Sequence, residues 1–327
     1  MRGRCSTSAN DMKRAEHPPS NPHRVFPRAA YYQHDGYKTV RGFAMQATRS
    51  LKFGLFKYWL LLPVLIYLLY FFVYPIFSLV WTSFFDPELT FKNYLHLFRQ
   101  PVYLEVIFLT LKLSFNCTLF SLLLGYPIAY LLVQVRPNVR NILLIFCVLP
   151  FWTSVLVRMY AWMVVLGEKG IINSALMKLG IITTPLSLLY NTFSVTLAMV
   201  HYLLPFMVFS LYSVMNGINP NTVKAARSLG AKPAVAFSKV FFPQSLPGVG
   251  AGSLTVFILA VGFFVTPALL GGRKNVVISM LIENQVDVQI NWPFAAAIAF
   301  LLLVITLILF NIANRYLGID RIWGGRR

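Results

Sequence analysis

Two ionisable side chains, Arg158 and His201, stand inside long apolar stretches of the sequence. Such positions are functional candidates by default, because a buried polar group needs a partner or a ligand. We expect one of two roles for Arg158. In the first, its side chain extends to the membrane surface at the end of the apolar stretch or forms a structural pair with a neighbouring group. In the second, it lines a cavity and orients a carboxylate. His201 is expected either to hydrogen-bond a neighbouring helix or to line a substrate path. Since no acid–base partner can be placed beside either residue, no catalytic site is predicted.

Carboxylates and aromatic rings recur in the segments between the apolar stretches. Such side chains attract organic ammonium groups through ion pairing and cation–π contact. The carboxylates are Asp86, Glu88, Glu105, Glu168, Glu283 and Asp287. The best candidates to attract a cation or to contact a partner protein are Glu168, Glu283 and Asp287. The nearest aromatic residues are Tyr160, Trp162 and Trp292. The simpler alternative is solvated loop charge and an aromatic belt at a membrane surface.

The sequence lacks the Gly-x-x-x-x-Gly-Lys-Ser/Thr loop that holds the phosphates of ATP. Its nearest imitation, Gly271-Gly272-Arg273-Lys274, has the wrong spacing. The three cysteines, Cys5, Cys117 and Cys147, have neither the spacing of a metal site nor the even number of a disulfide framework. We therefore predict no metal and no cofactor bound by this chain itself.

Long apolar segments must position these residues. The chain is 57% hydrophobic and only 12% charged, whereas soluble domains hold about 25% charged residues. A helix of roughly 20 apolar residues crosses the hydrocarbon core of a bilayer. Six segments satisfy this criterion, at about 58–83, 108–133, 141–166, 188–215, 249–270 and 294–313. The sequence thus predicts an all-α membrane protein with six transmembrane helices.

The distribution of positive charge predicts the orientation of these spans. The net charge is +19, and 21 of the 29 Lys and Arg residues fall in the two termini and in the loops after the second and fourth spans. Because cytoplasmic segments carry an excess of Lys and Arg, both termini are predicted to be cytoplasmic. This asymmetry accounts for most of the net charge, so no nucleic-acid partner is predicted.

Composition divides the chain into three parts. Residues 1–52 are basic and lack an apolar run, which predicts a disordered cytoplasmic tail that touches anionic membrane lipid. Met45, just before the first span, is an alternative start of translation. Residues 53–315 form the predicted transmembrane domain, and residues 316–327 form a second basic cytoplasmic tail.

The loop between the fourth and fifth spans carries the most specific pattern. Asn219 can cap a helix that begins at Pro220 and ends at Gly230. Pro233 can open a second short helix that stops before Pro243. The small side chains of the first helix predict a shallow surface on which another protein can pack closely.

This loop resembles the cytoplasmic signature loop of the permeases of ATP-binding-cassette (ABC) importers. In that family Glu-Ala-Ala is followed by three residues, a Gly and, about a dozen residues later, an apolar residue and Pro. The corresponding residues here are Lys224, Ala225, Ala226, Arg227, Gly230, Ala231, Phe237 and Pro243. Lys224 departs from the family, because it stands where Glu is usual. The resemblance implies that residues 216–247 are a coupling loop that docks on a separate ATPase subunit.

The resemblance extends over about residues 58–315 and looks like the spermidine/putrescine (polyamine) branch. It rests on Pro150-Phe151-Trp152-Thr153, Arg158-Met159-Tyr160-Ala161-Trp162, Leu166-Gly167, Asn173, Leu204-Pro205-Phe206-Met207, Pro267-Ala268-Leu269-Leu270-Gly271-Gly272 and Trp292-Pro293-Phe294. It implies the type I importer permease fold in a bacterial inner membrane. It also implies two ATPase subunits that bind ATP and Mg, a second related permease subunit and an extracytoplasmic solute-binding protein.

Other functional classes fit the sequence less well. A channel or secondary transporter would leave the signature loop unexplained, and it usually carries coupling charges within its spans, where only Lys112 and Arg158 occur. A membrane enzyme would need a catalytic pair. Within the permeases, an amino acid, thiamine or iron is the alternative cargo.

Overall fold

The computed structural model describes residues 61–86, 88–273 and 275–317. The chain divides into two units between Tyr70 and Phe71, and the described residues from Phe71 onward form the second, compact unit. The second unit holds all the functional elements discussed below. The predicted tail at 1–52, Met45, the start of the first span and most of the tail at 316–327 lie outside the described residues.

The described chain is mainly helical, with one short antiparallel pair of strands, β1 (Phe85–Asp86) and β2 (Glu88–Leu89). The helices are α1 (Leu61–Phe84), α2 (Lys92–Arg99), α3 (Pro101–Gln134), α4 (Pro137–Val148), α5 (Val155–Leu166), α6 (Ile171–Lys178), α7 (Thr192–Asn216), α8 (Pro220–Ser228), α9 (Pro233–Val261), α10 (Val265–Leu270), α11 (Ile278–Glu283) and α12 (Trp292–Leu317).

Five of these helices, α1, α3, α7, α9 and α12, are long and apolar enough to cross a membrane. A sixth crossing exists if the bent pair Pro137–Trp152 and Val155–Lys178 counts as one span, and this pair is bent by 98°. The segment predicted as the third span, 141–166, is therefore not one continuous helix in the structure. The chain breaks after a 3₁₀ turn at Leu149–Trp152, where Pro150 cannot donate a backbone hydrogen bond to continue the α-helix.

The fifth span also differs from its predicted bounds of 249–270. Its helix, α9, already begins at Pro233 and ends at Val261, where Gly262 is the C-terminal cap. Residues 265–270 form the separate short helix α10. An apolar run in the sequence continues across this break, because hydropathy registers composition and not the direction of the backbone.

The core of the bundle forms where α3, α7 and α9 meet, and Met207 of α7 is fully buried there. Glycines of the two neighbouring helices face it. A Cβ at Gly125 would stand 2.9 Å from Met207 Cγ, and a Cβ at Gly252 would stand 2.7 Å from Met207 Sδ. Small residues let helix backbones approach closely, which is the main source of packing energy between helices in lipid.

Gly248 provides a test of this packing. A Cβ there would stand 3.0 Å from Val214 Cβ and 3.4 Å from Leu211 Cα of α7. We expect Gly248→Val to lower the free energy of unfolding by about 1–3 kcal/mol, because the extra methyl groups force α7 and α9 apart. Thermal unfolding of the purified protein measures the effect. Gly262→Val is the control, since a Cβ there meets nothing within 4 Å. Equal stability of the two variants would contradict the proposed close packing.

Candidate coupling surface and substrate path

The loop between α7 and α9 contains the capped helix that its sequence suggests. The side-chain oxygen of Asn219 accepts a hydrogen bond from the backbone nitrogen of Asn221 at 3.0 Å, and Pro220 is the first residue of α8. The helix ends at Ser228. Gly230 then adopts φ +89°, a left-handed conformation that glycine takes without steric cost. Interactions between residues close in sequence are therefore enough to set both ends of this helix.

The second short helix differs from its prediction, because it does not stop before Pro243. It is the first turn of α9, and it passes through a π-helical turn at Phe237–Phe241. The wider turn makes room for the proline ring, which would clash with a carbonyl one turn earlier in a regular α-helix. As a result, the coupling loop is joined without a break to a helix of 29 residues.

A groove of ≈390 Å³ lies between α8 and the start of α9. It is lined by Ala226, Leu229, Gly230, Ala231, Val235, Ala236, Lys239 and Val240. No residue of α8 is buried, and Leu229 is 89% exposed. Of the signature residues outside the groove, Lys224, Ala225, Arg227 and Pro243 are exposed and Phe237 is half-buried. An exposed leucine beside an apolar groove is typical of a docking surface for another protein.

Aromatic contacts connect this coupling loop to α3. The Phe237 ring lies 5.2 Å from the Tyr130 ring and 6.3 Å from the Tyr126 ring, and Phe241 lies 5.1 Å from Tyr130. The hydroxyl groups of Tyr126 and Ser245 are 2.9 Å apart and hydrogen-bonded. The loop therefore packs closely against α3 and also continues directly into α9.

Arg158 lies at the bend between α4 and α5 and is only 7% exposed. Its Nη2 donates to the carbonyl oxygens of Pro150 and Thr153, at 3.0 Å for the latter, and to Thr153 Oγ1 at 2.9 Å. Its guanidinium carbon lies 5.2 Å from the centre of the Tyr202 ring of α7. These contacts correspond to the structural-pairing alternative, while Nη1 is buried and has no hydrogen-bond partner in the part of the chain that the structure describes.

The predicted hydrogen bond from His201 to a neighbouring helix is not found among the described residues. His201 Nδ1 is buried and has no partner in the part of the chain that the structure describes. Its ring instead packs edge-on against Trp162 of α5, with 5.7 Å between centroids. The side chain also lines a cavity of ≈350 Å³ between α3, α4 and α7, together with Cys147 and Pro150. This geometry corresponds to the alternative in which His201 lines a path.

The structure does not gather the other predicted residues into one site. Tyr160 and Trp292 are exposed, as are the carboxylates Glu168, Glu283 and Asp287. Among the described residues these three carboxylates form no ion pair. In the same part of the chain, no three His, Cys, Asp or Glu side chains are grouped to hold a metal ion.

Asn173 fixes the loop that presents Glu168. It is fully buried, and its amide nitrogen donates to the carbonyl oxygens of Gly167 at 3.0 Å and Leu186 at 2.9 Å. Its amide oxygen accepts from the Leu186 nitrogen at 2.9 Å. Gly170 completes the turn, since a Cβ there would stand 2.6 Å from two carbonyl oxygens of α5. The Glu168 backbone is therefore held in one position.

Comparison with known proteins decides the family. Residues 121–318 match the family described as binding-protein-dependent transport system inner membrane component. The chain belongs to this family of permeases. Together with its apolar helices, this membership places the permease in the bacterial inner membrane as a multi-pass protein.

Two relatives of the permease are spermidine/putrescine transport system permease proteins. The protein PotB of Haemophilus influenzae is 37% identical over 72% of this chain and 82% of its own length. The protein PotB of Escherichia coli is 37% identical over 68% of this chain and 81% of its own length. Among solved structures, a bacterial ABC transporter involved in alginate import has a chain with a TM-score of 0.72 at 20% identity. That match covers 84% of the permease and 98% of the other chain, and it shows the fold.

Several contact residues of the permease were missed by sequence reasoning. Tyr126 and Tyr130 lie four residues apart and so share one helix face, which is a weak signal for a common contact. Tyr202 has no local signal, because its role depends on Arg158 of another helix. The sequence does not single out Leu229, because one apolar residue in a loop is common. Its exposure beside a groove, visible only in the structure, is what indicates a docking surface.

Proposed function

We propose that the permease is the pore subunit of an ABC importer that moves a polyamine from an extracytoplasmic binding protein into the cytoplasm. The 37% identity to the spermidine/putrescine permease of H. influenzae carries this proposal. The exposed signature loop and the importer permease fold support it. In this proposal the chain is not itself an enzyme, and its partners are two ATPase subunits, which bind ATP and Mg, and a second related permease.

In this mechanism the ATPase grips the groove beside α8 on the cytoplasmic side, where both termini also lie. Closure of the ATPase dimer pushes Leu229 and α8. The push passes into α9 directly and into α3 through Tyr126 and Tyr130. Since α3 and α9 pack on α7 through glycines, the three helices tilt as one unit and change the access to the path between the two permease subunits.

Substrate attraction is assigned to the side opposite α8. A polyamine carries several ammonium groups, which gain from carboxylates and from aromatic faces. The exposed residues Glu168, Glu283 and Asp287 supply the negative charge there, and they also offer contacts to the binding protein. Arg158 Nη2 donates to the bend between α4 and α5, and the guanidinium repels a cationic substrate, so we assign Arg158 to maintaining the shape of the path and not to contact with the cation.

Reconstitution tests the proposed function. The permease, its ATPase, the second permease and the binding protein are placed in vesicles, and uptake of labelled spermidine is measured with and without ATP. We expect uptake only with ATP and only with the binding protein. Equally fast uptake by the permease alone without ATP would contradict the importer. ATP-driven uptake of an amino acid, thiamine or iron but not spermidine would contradict the cargo while leaving the importer in place.

A further inference from the structure

A polar cavity of ≈650 Å³ opens among α2, the start of α3, the π-helical turn Asn284–Val288 and the start of α12. Its polar lining consists of Lys92, Asn93, His96, Arg99, Tyr103, Gln285, Gln289 and Asn291. With the bent pair Pro137–Trp152 and Val155–Lys178 counted as one crossing, the cavity lies on the side opposite α8, because α2 follows the first crossing and α8 follows the fourth. The volume lies within the roughly 300–1,000 Å³ of ligand sites in proteins.

The charge of this cavity is that of an anion site. Lys92 and Arg99 form no ion pair among the residues that the structure describes. Asn93 Nδ2, a hydrogen-bond donor, is buried without a partner in the same part of the chain. No carboxylate lines the cavity in that part either. Two cations with neighbouring amide donors bind a phosphate or carboxylate group through charge-assisted hydrogen bonds.

The helix that carries the two cations also presents an apolar face. Phe91, Leu95 and Phe98 recur at intervals of four and three residues, so they share one face, and each is at least 50% exposed. Leu95 belongs to this face and also lines the cavity. A short helix with an apolar face beside a cationic face lies in the membrane surface, with the first in lipid and the second at the headgroups.

The opposite wall of the cavity has the same character. Val288, Ile290 and Trp292 flank the lining residues Gln289 and Asn291, and all three are at least 60% exposed. Exposed tryptophan next to a transmembrane helix is typical of the headgroup region of a bilayer. Thus the cavity is bordered on two sides by side chains suited to lipid.

We propose that this cavity binds the phosphate headgroup of an anionic phospholipid, whose acyl chains lie along Phe91, Leu95 and Phe98. Lys92 and Arg99 pair with the phosphate, and the Asn93 amide donates to it. The exposed apolar face favours lipid over an acidic partner protein, which would leave that face uncovered. The cavity faces the outer leaflet of the membrane if α8 and the coupling loop are cytoplasmic. This assignment to the outer leaflet is the only part of the proposal that rests on the proposed function.

Lipid retention tests the proposal. The assembled transporter is placed in nanodiscs of equal parts phosphatidylglycerol and phosphatidylcholine, and the lipids that stay bound after extraction are counted by native mass spectrometry. We expect phosphatidylglycerol to be enriched. The double variant Lys92→Gln, Arg99→Gln should reduce that enrichment roughly 10- to 30-fold, because each basic residue near an anionic lipid strengthens binding roughly fivefold.

The control is the double variant Lys169→Gln, Lys178→Gln. It removes the same charge from exposed positions on the same side of the chain, outside the cavity, and should retain the lipid. Lys92 and Arg99 are exposed themselves, so their replacement removes no buried contact.

Two results would overturn the lipid site. One is equal retention of the two lipids by the unmodified transporter. The other is unchanged retention by the Lys92→Gln, Arg99→Gln variant, and a simultaneous loss of affinity for the binding protein would assign the cavity to that partner. ATP hydrolysis measured in the same nanodiscs reports on the importer mechanism separately, so a failure there leaves the lipid result standing.

Discussion

Replacing Leu229 with Asp is expected to release the ATPase subunit from the permease and so to abolish ATP-driven import. Leu229 is 89% exposed beside the groove of α8, which is where a partner would cover it. Burial of a leucine side chain contributes about 1.5–3 kcal/mol, and burial of an unpaired carboxylate costs more than that gain. The expected loss of affinity is therefore at least about 100-fold. Co-purification of the ATPase with the tagged permease measures it.

Two control variants separate docking from general damage. Leu229→Met keeps the apolar surface and should keep the ATPase bound. Leu179→Asp makes the same chemical change at another exposed leucine, in the loop after α6 on the opposite side of the chain, and should also keep the ATPase. If Leu229→Asp retains the ATPase as well as these two variants do, the groove is not the docking surface.

Arg158→Leu is expected to destabilise the permease through the bend between α4 and α5. The guanidinium donates to the carbonyls of Pro150 and Thr153 and covers the Tyr202 ring. Hydrogen bonds to charged groups contribute about 1.5–3 kcal/mol, so we expect a loss of about 2–4 kcal/mol in the free energy of unfolding. Thermal unfolding in nanodiscs measures it. Arg158→Lys should lose less, because it keeps the charge but not the planar fork.

A second cation provides the comparison for Arg158. Lys112 lies in α3 but is exposed, and the structure gives it no partner among the described residues. Lys112→Leu should therefore change stability little. A different result would contradict the proposed bracing role. If Arg158→Leu has the stability of the unmodified permease but a higher KM for spermidine uptake, Arg158 acts on the substrate path.

Helix α8 could be predicted from sequence because its two ends are set by local interactions. Asn219 supplies the cap, Pro220 suits the first position, and Gly230 takes the left-handed conformation that ends the helix. The number of apolar segments was equally accessible, since the bilayer imposes a minimum length on each span. These features need no information about neighbouring helices.

The bend at Pro150 and the continuity of α9 through Pro243 could not be predicted in the same way. Both involve a proline within an apolar segment. At Pro150 the chain turns and Arg158 satisfies the freed carbonyls, whereas at Pro243 a π-helical turn absorbs the ring and the helix continues. Proline permits either outcome, and tertiary contacts decide between them.

The candidate site was only partly accessible for a related reason. Residue types identified Arg158, His201 and Trp162, but a helix has no rotational reference until its neighbours are known. The contact of His201 with Trp162, and of Arg158 with Tyr202, joins residues of different helices. The docking role proposed for the groove at Leu229 further involves a second protein, about which this sequence carries no information.

Helix α9 runs continuously from the groove into the bundle, so a small rotation at one end gives a larger displacement at the other. Its 29 residues, including the π-helical turn at Phe237–Phe241, span about 44 Å from the groove at Pro233 to Val261. Pivoting a helix of this length by about 10° at one end swings the other end through about 8 Å. The break after Val261 separates that end from α10, so under the proposed coupling to an ATPase a small displacement at Pro233 becomes a larger displacement at the other end of α9.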